Sequence, residues 1–236
     1  MISLFIDERY EDLSGGGKRI IICCWGVLQR RLNSGLGHLA SLQAKGRAPI
    51  GDRIEKALVS IGGYALLAWG DLTASQYAAG RSAHTSDIPA MARPDAAWSM
   101  AVIYAVATLM KKLLEASWAY RTVDVYYDPK GLTSAHARAW RTTLRGLLTD
   151  EAVRYCREGG INLGDQIRIR RIEPVRKPNR GQAMDKLQCG TWLAHMICRL
   201  SNRLISRGKS GRIAVENMSD LLVATVEQWE GKPFPQ

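Results

Sequence analysis

The sequence lacks the cysteine patterns that would predict a disulfide framework or a structural zinc site. It has five cysteines, which are Cys23, Cys24, Cys156, Cys189 and Cys198. They form no CxxC pair and no ladder with histidines at ligand spacing, so we expect them to be reduced and mostly buried. The first dozen residues are strand-like and acidic, unlike a secretory signal, and we therefore expect a cytoplasmic protein.

The sequence also lacks an apolar run long enough to cross a bilayer. The longest, "AAWSMAVIYAVATLM" from Ala96 to Met110, falls short of the roughly 20 residues that a membrane span needs. We expect a buried helix there and no membrane partner. The glycines of "SGGGKR" lack the GxxxxGK[ST] spacing, so they predict a hairpin turn and not a phosphate-binding loop.

Positive charge is present in excess. The 236 residues include 33 lysines and arginines against 22 acids, a net charge of +11. Between positions 166 and 212 there are twelve basic residues and two acids, so most of the excess lies in one segment. Such a density is typical of a surface that contacts nucleic-acid phosphates. A merely solvated surface is the alternative.

The hydrophobic pattern predicts one large α/β domain with a mixed sheet and helices on both faces. "MISLFIDERYED" alternates with period two and "RIIICCWGVL" is continuously apolar, which together predict a hairpin with a half-buried and a fully buried strand. Strands at "YALLAWGDL", "TVDVYYD" and "QIRIRRIEPV" follow, with a further strand within 32–43 left open. Helices are predicted near 52–61, 95–118, 134–148, 185–205 and 213–229. Residues 1–212 are expected to form the domain, and 213–236 its closing helix and tail.

Acids recur where the predicted strands end. Asp7 and Glu8 follow the first strand, and Asp71 and Asp128 end two later ones. The carboxyl ends of parallel strands meet at one edge of a sheet, and clustered carboxylates suit Mg²⁺ or Mn²⁺. Two such ions about 4 Å apart can activate a water and stabilise the leaving oxygen of a phosphodiester. Because neighbouring residues of a strand face opposite sides, Asp7 is the expected ligand of the first pair. A solvated hairpin cap is the alternative.

Three motifs carry a resemblance to a known family. "FIDER", "VDVYYDPKG" and "DKLQCGTWLAHMICR" resemble the bacterial and phage family called domain of unknown function 3800, which belongs to the RNase H-like superfamily. The resemblance implies an RNase H-like mixed sheet, with antiparallel hairpin strands followed by parallel strands. It also implies a divalent-metal-dependent nuclease acting on RNA, DNA or a hybrid. The matching positions are Asp7, Glu8, Asp128, Leu187 and Gln188.

One acidic position of the family pattern is absent. Thr191 stands where the family has its last aspartate, and Asp185, six residues earlier, is the expected replacement, with Glu216 and Asp220 as weaker ones. The expected catalytic residues are Asp7, Glu8, Asp128 and Asp185. The expected ligands of Mg²⁺ or Mn²⁺ are Asp7, Asp128 and Asp185. The alternative is a catalytically degenerate nucleic-acid-binding or assembly subunit, working with a protein partner in a phage-defence or mobile-element complex.

A set of basic residues is expected to contact the nucleic acid. His195, Arg199 and Arg203 recur every four residues on one helix face, although His195 by itself is expected to be only a partly buried surface histidine. The expected nucleic-acid contacts are Lys130, Arg168, Arg170, Arg171, Arg176, Lys177, Arg180, Arg199 and Arg203.

Overall fold

A mixed sheet forms the centre of the protein. The computed structural model describes residues 1–32, 50–82, 96–116, 122–128, 168–176, 185–208 and 211–229. In these ranges the sheet has six strands in the order β5-β4-β1-β2-β3-β6. The strands are β1 (Ile2–Asp12), β2 (Lys18–Leu28), β3 (Tyr64–Leu72), β4 (Thr122–Tyr127), β5 (Arg168–Pro174) and β6 (Ile213–Asn217). The helices are α1 (Ile50–Ile61), α2 (Ala74–Ser82), α3 (Ala96–Glu115), α4 (Lys186–Arg199), α5 (Ser201–Arg207) and α6 (Ser219–Trp229).

The strand directions confirm the predicted α/β sheet. β1 and β2 form an antiparallel hairpin, and β3 continues it antiparallel to β2. β4 then pairs parallel with the other side of β1, and β5 pairs parallel with β4. Parallel neighbours need crossover connections, and α3 lies in the chain between β3 and β4. β1 is therefore central, paired on both sides.

Helices cover both faces of the sheet. Alternate residues of β1 face opposite sides: Leu4 and Ile6 join a core under α3 and α6, whereas Phe5 joins a second core under α1 and α4. The alternation of the opening sequence thus assigns Ser3, Phe5 and Asp7 to the α4 side. Within the described residues, no helix is both long and apolar enough to span a membrane.

The first strand extends beyond the expected end. The sequence predicts that β1 ends at the two acids, but it runs on to Asp12 because the hairpin pairing with β2 continues to Asp12 and Lys18. What ends earlier is the pairing with β4, whose last partners are Ile6 and Tyr127. Asp7 therefore lies where β1 separates from β4, not where β1 ends.

Three other stretches differ from the sequence-based prediction. Residues 213–217 form β6 at the edge beside β3, so only the later part of the expected closing helix, α6, is helical. The helix predicted over 185–205 is two helices separated at Leu200. The segment expected to be a loop after Asp71 contains α2. The strand left open within 32–43 and the helix predicted over 134–148 lie outside the described residues, apart from Leu32.

Helix α4 approaches β1 closely at a glycine. A Cβ placed on Gly190 would lie 2.2 Å from Cε1 of Phe5, so only glycine allows the helix backbone to rest on that ring. The Phe5 ring is stacked between Trp25 and Tyr126, at centroid distances of 4.9 and 5.2 Å. Trp25 Nε1 donates a hydrogen bond of 2.8 Å to the carbonyl oxygen of Gly190. These contacts fix the height and position of α4 above the sheet.

We expect Gly190→Ala to lower the free energy of unfolding by about 1–3 kcal/mol, because the methyl group overpacks the Phe5 ring. Urea unfolding measures the change. The double variant with Phe5→Leu is the control: relief of the clash should make its loss smaller than the sum of the two single losses. A Gly190→Ala protein as stable as the natural chain would contradict this packing.

Candidate functional site

Asp7 is a buried carboxylate on the α4 side of the sheet. It has no exposed surface, and its Oδ2 lies 2.9 Å from Nδ1 of His195. The Cys198 thiol donates a hydrogen bond of 3.3 Å to the backbone oxygen of Asp7. Cys23, the partner of Asp7 on β2, is also buried, and this burial raises the pKa of its thiol well above the usual value. The thiol therefore stays neutral and adds no second negative charge next to Asp7.

Asp128 directly follows β4, the strand that pairs parallel with β1. Asp7 follows Ile6 and Asp128 follows Tyr127, and these two preceding residues are register partners in the parallel pairing. The parallel pairing of β1 with β4 ends at these two partners, and each acid is the first residue beyond it. The two acids, more than a hundred residues apart in the chain, therefore each follow the last paired residue of two neighbouring strands.

Asp185 lies elsewhere, as the cap of α4. Its Oδ1 accepts hydrogen bonds of 2.8 Å from the backbone N–H groups of Leu187 and Gln188, and Gln188 completes the capping box. At 1.5 Å per residue, the ten residues between Asp185 and His195 span about 15 Å of helix. Because α4 runs from Phe5 towards Asp7, its start points away from Asp7. The structure therefore does not bring Asp185 to the other two expected ligands.

The remaining α4 and β6 candidates do not replace Asp185. Thr191 is fully buried, and its hydroxyl donates back to the backbone oxygens of Gln188 and Leu187, at 3.1 and 3.4 Å. Glu216 belongs to β6, at the opposite edge of the sheet from β4 and β5, and pairs with Lys112 at 2.9 Å. Across the ranges that the structure describes, no three His, Cys, Asp or Glu side chains form a group able to hold a metal ion.

A pocket opens beside the imidazole of His195. Its volume is about 600 Å³, within the range typical of small-ligand sites. Its lining residues are Glu8, Arg9, Tyr10, His195, Cys198 and Arg199. Glu8 thus lies on the pocket wall next to buried Asp7, and two arginines bring positive charge to the same wall. The chemistry of this lining suits an anionic ligand that reaches towards His195.

A second buried acid, Asp124, binds arginines. Arg170 Nε and Nη2 contact its two carboxylate oxygens at 2.8 and 2.5 Å, and Arg171 lies 3.8 Å away. The pairing of β4 with β5 skips Arg170, a bulge that aims its guanidinium at Asp124. The same neighbourhood raises the pKa of Tyr126 to about 12, first through burial and then through the Asp124 charge. Asp124 is therefore paired with two arginines of β5.

The expected nucleic-acid contacts lie in two places. Arg199 and Arg203 are exposed along α4 and α5, and Arg199 also lines the pocket. Arg176 is exposed just after β5, whereas Arg170 and Arg171 are engaged with Asp124. Arg168 begins β5. The expected contacts Lys130, Lys177 and Arg180 lie outside the described residues.

Sequence reasoning missed two residues of this region. The sequence indicated His195 only through its spacing of four residues from Arg199, whereas the residue that it contacts, Asp7, lies 188 positions away in the chain. Asp124 carried a clearer signal, an acid between two valines of a buried strand, which requires a cation nearby. In the structure that cation comes from Arg170 and Arg171, two arginines of the predicted basic strand, which both pair with Asp124.

Comparisons with known proteins give distant structural neighbours. No family model matches the chain, and no curated protein sequence matches it. The structure of ribonuclease H2 from Pyrococcus horikoshii aligns at 12% identity and a TM-score of 0.40, over 88% of this chain and 75% of that one. The RNase HII of the PCNA complex from Archaeoglobus fulgidus aligns at 12% identity and 0.36, over 88% and 76%. Bst-RNase HIII in complex with Mn²⁺ aligns at 11% identity and 0.34, over 88% of this chain and 55% of that one. At these scores, the assignment of a function depends on this protein's own residues.

We expect Asp185→Ala to lower the free energy of unfolding by about 1 kcal/mol, because two backbone N–H groups at the start of α4 lose their acceptor. Asp185→Asn should cost only a few tenths, since asparagine is an equally good cap. Urea unfolding of both variants measures this difference. Equal losses in the two variants would contradict the capping role.

Proposed function

We propose that this chain is a divalent-metal-dependent nuclease of the RNase H-like type, which hydrolyses phosphodiester bonds in RNA, DNA or a hybrid. The observation that supports the proposal is the register of β1 and β4, in which Asp7 and Asp128 directly follow the last partners, Ile6 and Tyr127. In open α/β sheets, ligands bind beyond the carboxyl ends of the strands. Asp128 lies at such an end, directly after β4, and Asp7 follows the last residue of β1 that pairs with β4.

The donor chemistry fits one Mg²⁺ or Mn²⁺ ion. Mg²⁺ is usually held through one or two carboxylates and keeps several of its waters. Asp7 and Asp128 would supply the two carboxylates. Across the described residues no three His, Cys, Asp or Glu side chains form a metal-holding group, so the two carboxylates would hold the ion together with its waters.

The pocket and the basic helices fit a nucleic-acid backbone. Arg9 and Arg199 line the pocket beside His195, and Arg203 continues the exposed positive charge along α5. A phosphate group in the pocket would meet these guanidinium groups on one side and the ion on the other. Glu8, on the same wall, belongs to the proposed site. The ion would polarise the phosphoryl oxygen and lower the pKa of a bound water.

We expect Asp7→Asn to lower the cleavage rate by about a hundredfold or more, since the metal supplies several kcal/mol of charge stabilisation. The assay uses DNA, RNA and hybrid oligonucleotides with MgCl₂ or MnCl₂. Asp71→Asn is the matched control, because Asp71 pairs with Arg19 on the far side of β2. Absence of cleavage by the natural protein with either ion would overturn the enzymatic function.

A second candidate function is nucleic-acid binding without catalysis, as an assembly subunit of a phage-defence or mobile-element complex. The observation that favours it is the lack of a three-ligand group in the described ranges. The binding of such a subunit to nucleic acid should be unchanged by EDTA and by the Asp7→Asn substitution. An enzyme would instead lose cleavage under both conditions.

Under either function, we expect Arg199→Gln and Arg203→Gln each to weaken binding. Each should reduce the slope of log K against log salt by about one, because a phosphate contact releases its counterions. Fluorescence anisotropy at increasing KCl measures the slope. Arg30→Gln is the control, since Arg30 is exposed beyond the opposite end of the β1–β2 hairpin. A slope that Arg199→Gln and Arg203→Gln leave unchanged would exclude this face.

A further inference from the structure

The pocket beside His195 is built for a ligand group that enters from one side. Cys198 lines the pocket although only 1% of this residue is exposed, and its thiol donates a hydrogen bond to the Asp7 backbone. The inner wall therefore lies where α4 is bonded to β1, and the pocket is closed on that side. The end group of a ligand fits such a pocket, whereas a chain that continues in both directions does not.

Arginines from two different elements lie on the pocket wall. Arg9, on β1, donates a hydrogen bond of 3.4 Å to the backbone oxygen of Arg199 and pairs with Glu11 at 3.0 Å. The first contact holds its guanidinium at the end of α4 and offsets the partial negative charge of this helix end. Arg199 belongs to the last turn of α4, and its exposed side chain forms no ion pair with an acid in the described part of the chain. The wall therefore carries positive charge that these acids do not neutralise.

The surface next to the pocket continues this charge. Two arginines of the strands, Arg19 and Arg170, each bind both carboxylate oxygens of a neighbouring aspartate. Arg203 differs from them, because it is exposed on α5 and pairs with no acid of the described ranges. It follows Arg199 by four residues, so the uncompensated charge extends along α5 away from the pocket.

We propose that the pocket binds a phosphomonoester, the terminal phosphate of a nucleic-acid strand, through the guanidinium groups of Arg9 and Arg199. A phosphomonoester carries a charge of about −1.5 to −2 at neutral pH and presents three acceptor oxygens. Guanidinium groups bind such oxygens in pairs. A phosphodiester inside a strand has a single charge and continues on both sides, so it fits the open α5 surface instead. This inference needs no metal ion, and it rests on the proposed function only in taking nucleic acid as the source of the phosphate.

The size of the pocket agrees with a strand end. Its volume of about 600 Å³ is much larger than one phosphate group, so the nucleotide that carries the phosphate also has room. The other charged group of the lining, Glu8, distinguishes an anionic occupant from a different one. Its carboxylate opposes a phosphate, whereas it would accept hydrogen bonds from a hydroxyl group or an amine. Asp7 has no exposed surface and does not line the pocket.

The test is binding by the full chain in EDTA, so that neither a metal ion nor cleavage contributes. Fluorescence anisotropy compares three internally labelled single strands of one sequence, with a 5′-phosphate, a 3′-phosphate or no terminal phosphate. We expect the phosphate at one of the two ends to tighten binding about tenfold or more, because its contacts are charge-assisted. Arg199→Gln should abolish this preference, and Glu8→Gln should increase it. Arg203→Gln is the matched control outside the pocket, and it should weaken the binding of all three strands by the same factor.

The outcomes separate this inference from the proposed function. Equal affinities for the three strands, or a preference that survives in Arg199→Gln, would overturn the inference and leave the proposed function standing. Weaker binding of the phosphorylated strand by Glu8→Gln would likewise overturn it, because the occupant is then not an anion. Urea unfolding of each variant shows that it is folded.

Sodium phosphate and adenosine monophosphate identify the source of the phosphate. If they bind with the same dependence on Arg199 while no strand binds, the phosphomonoester site is supported with a free nucleotide as its ligand, and the nucleic-acid function fails. If the natural chain binds neither these two probes nor any strand, the inference and the proposed function fail together.

Discussion

The close approach of α4 to β1 at Gly190 determines where the candidate site residues lie. With no side chain at Gly190, the helix backbone rests on the ring of Phe5, and Trp25 holds it there through the carbonyl oxygen. His195 lies five residues after Gly190 on α4, and Asp7 lies two residues after Phe5 on β1. The two side chains therefore meet, with Oδ2 and Nδ1 2.9 Å apart. The same placement sends the helix start, with Asp185, away from Asp7. A larger residue at 190 would lift the helix and separate the histidine from the carboxylate.

Two buried acids on this face of the sheet differ in the groups that they contact. Both Asp7 and Asp124 have no exposed surface, and each would be unstable as an uncompensated charge. For Asp124 the compensation is permanent, because the chain itself supplies Arg170 and Arg171. The contacts of Asp7 include the imidazole of His195, a group that can bind or release a proton near neutral pH. His195 in turn lines the pocket.

Much of the fold could be predicted from local sequence patterns, and the predictions that were wrong have local causes. Alternation in the first strand and the continuous apolar run of the second predicted the hairpin, but the expected half-buried first strand is buried on both faces from Ile2 to Asp7, because helices cover both sides of the sheet. Residues 213–217 were read as helix because "IAVEN" is too short to show a strand period, and its pairing with β3 comes from a segment far away in the chain. Asp12 was missed as the end of β1 because the pairing with Lys18 maintains the strand through polar residues.

The sequence alone determined the α/β class, the hairpin, the positive charge of the later segment and the acids Asp7 and Asp128, because these follow from composition and from periods of two or four residues. In the structure each of the two acids follows the last partner in the pairing of β1 with β4. Only the tertiary structure decided that His195 faces Asp7 and that Asp185 is a cap. Both depend on how a helix lies on a sheet, a placement set by the contact of Gly190 with Phe5 across 185 positions of chain. No local pattern encodes a distance of that kind.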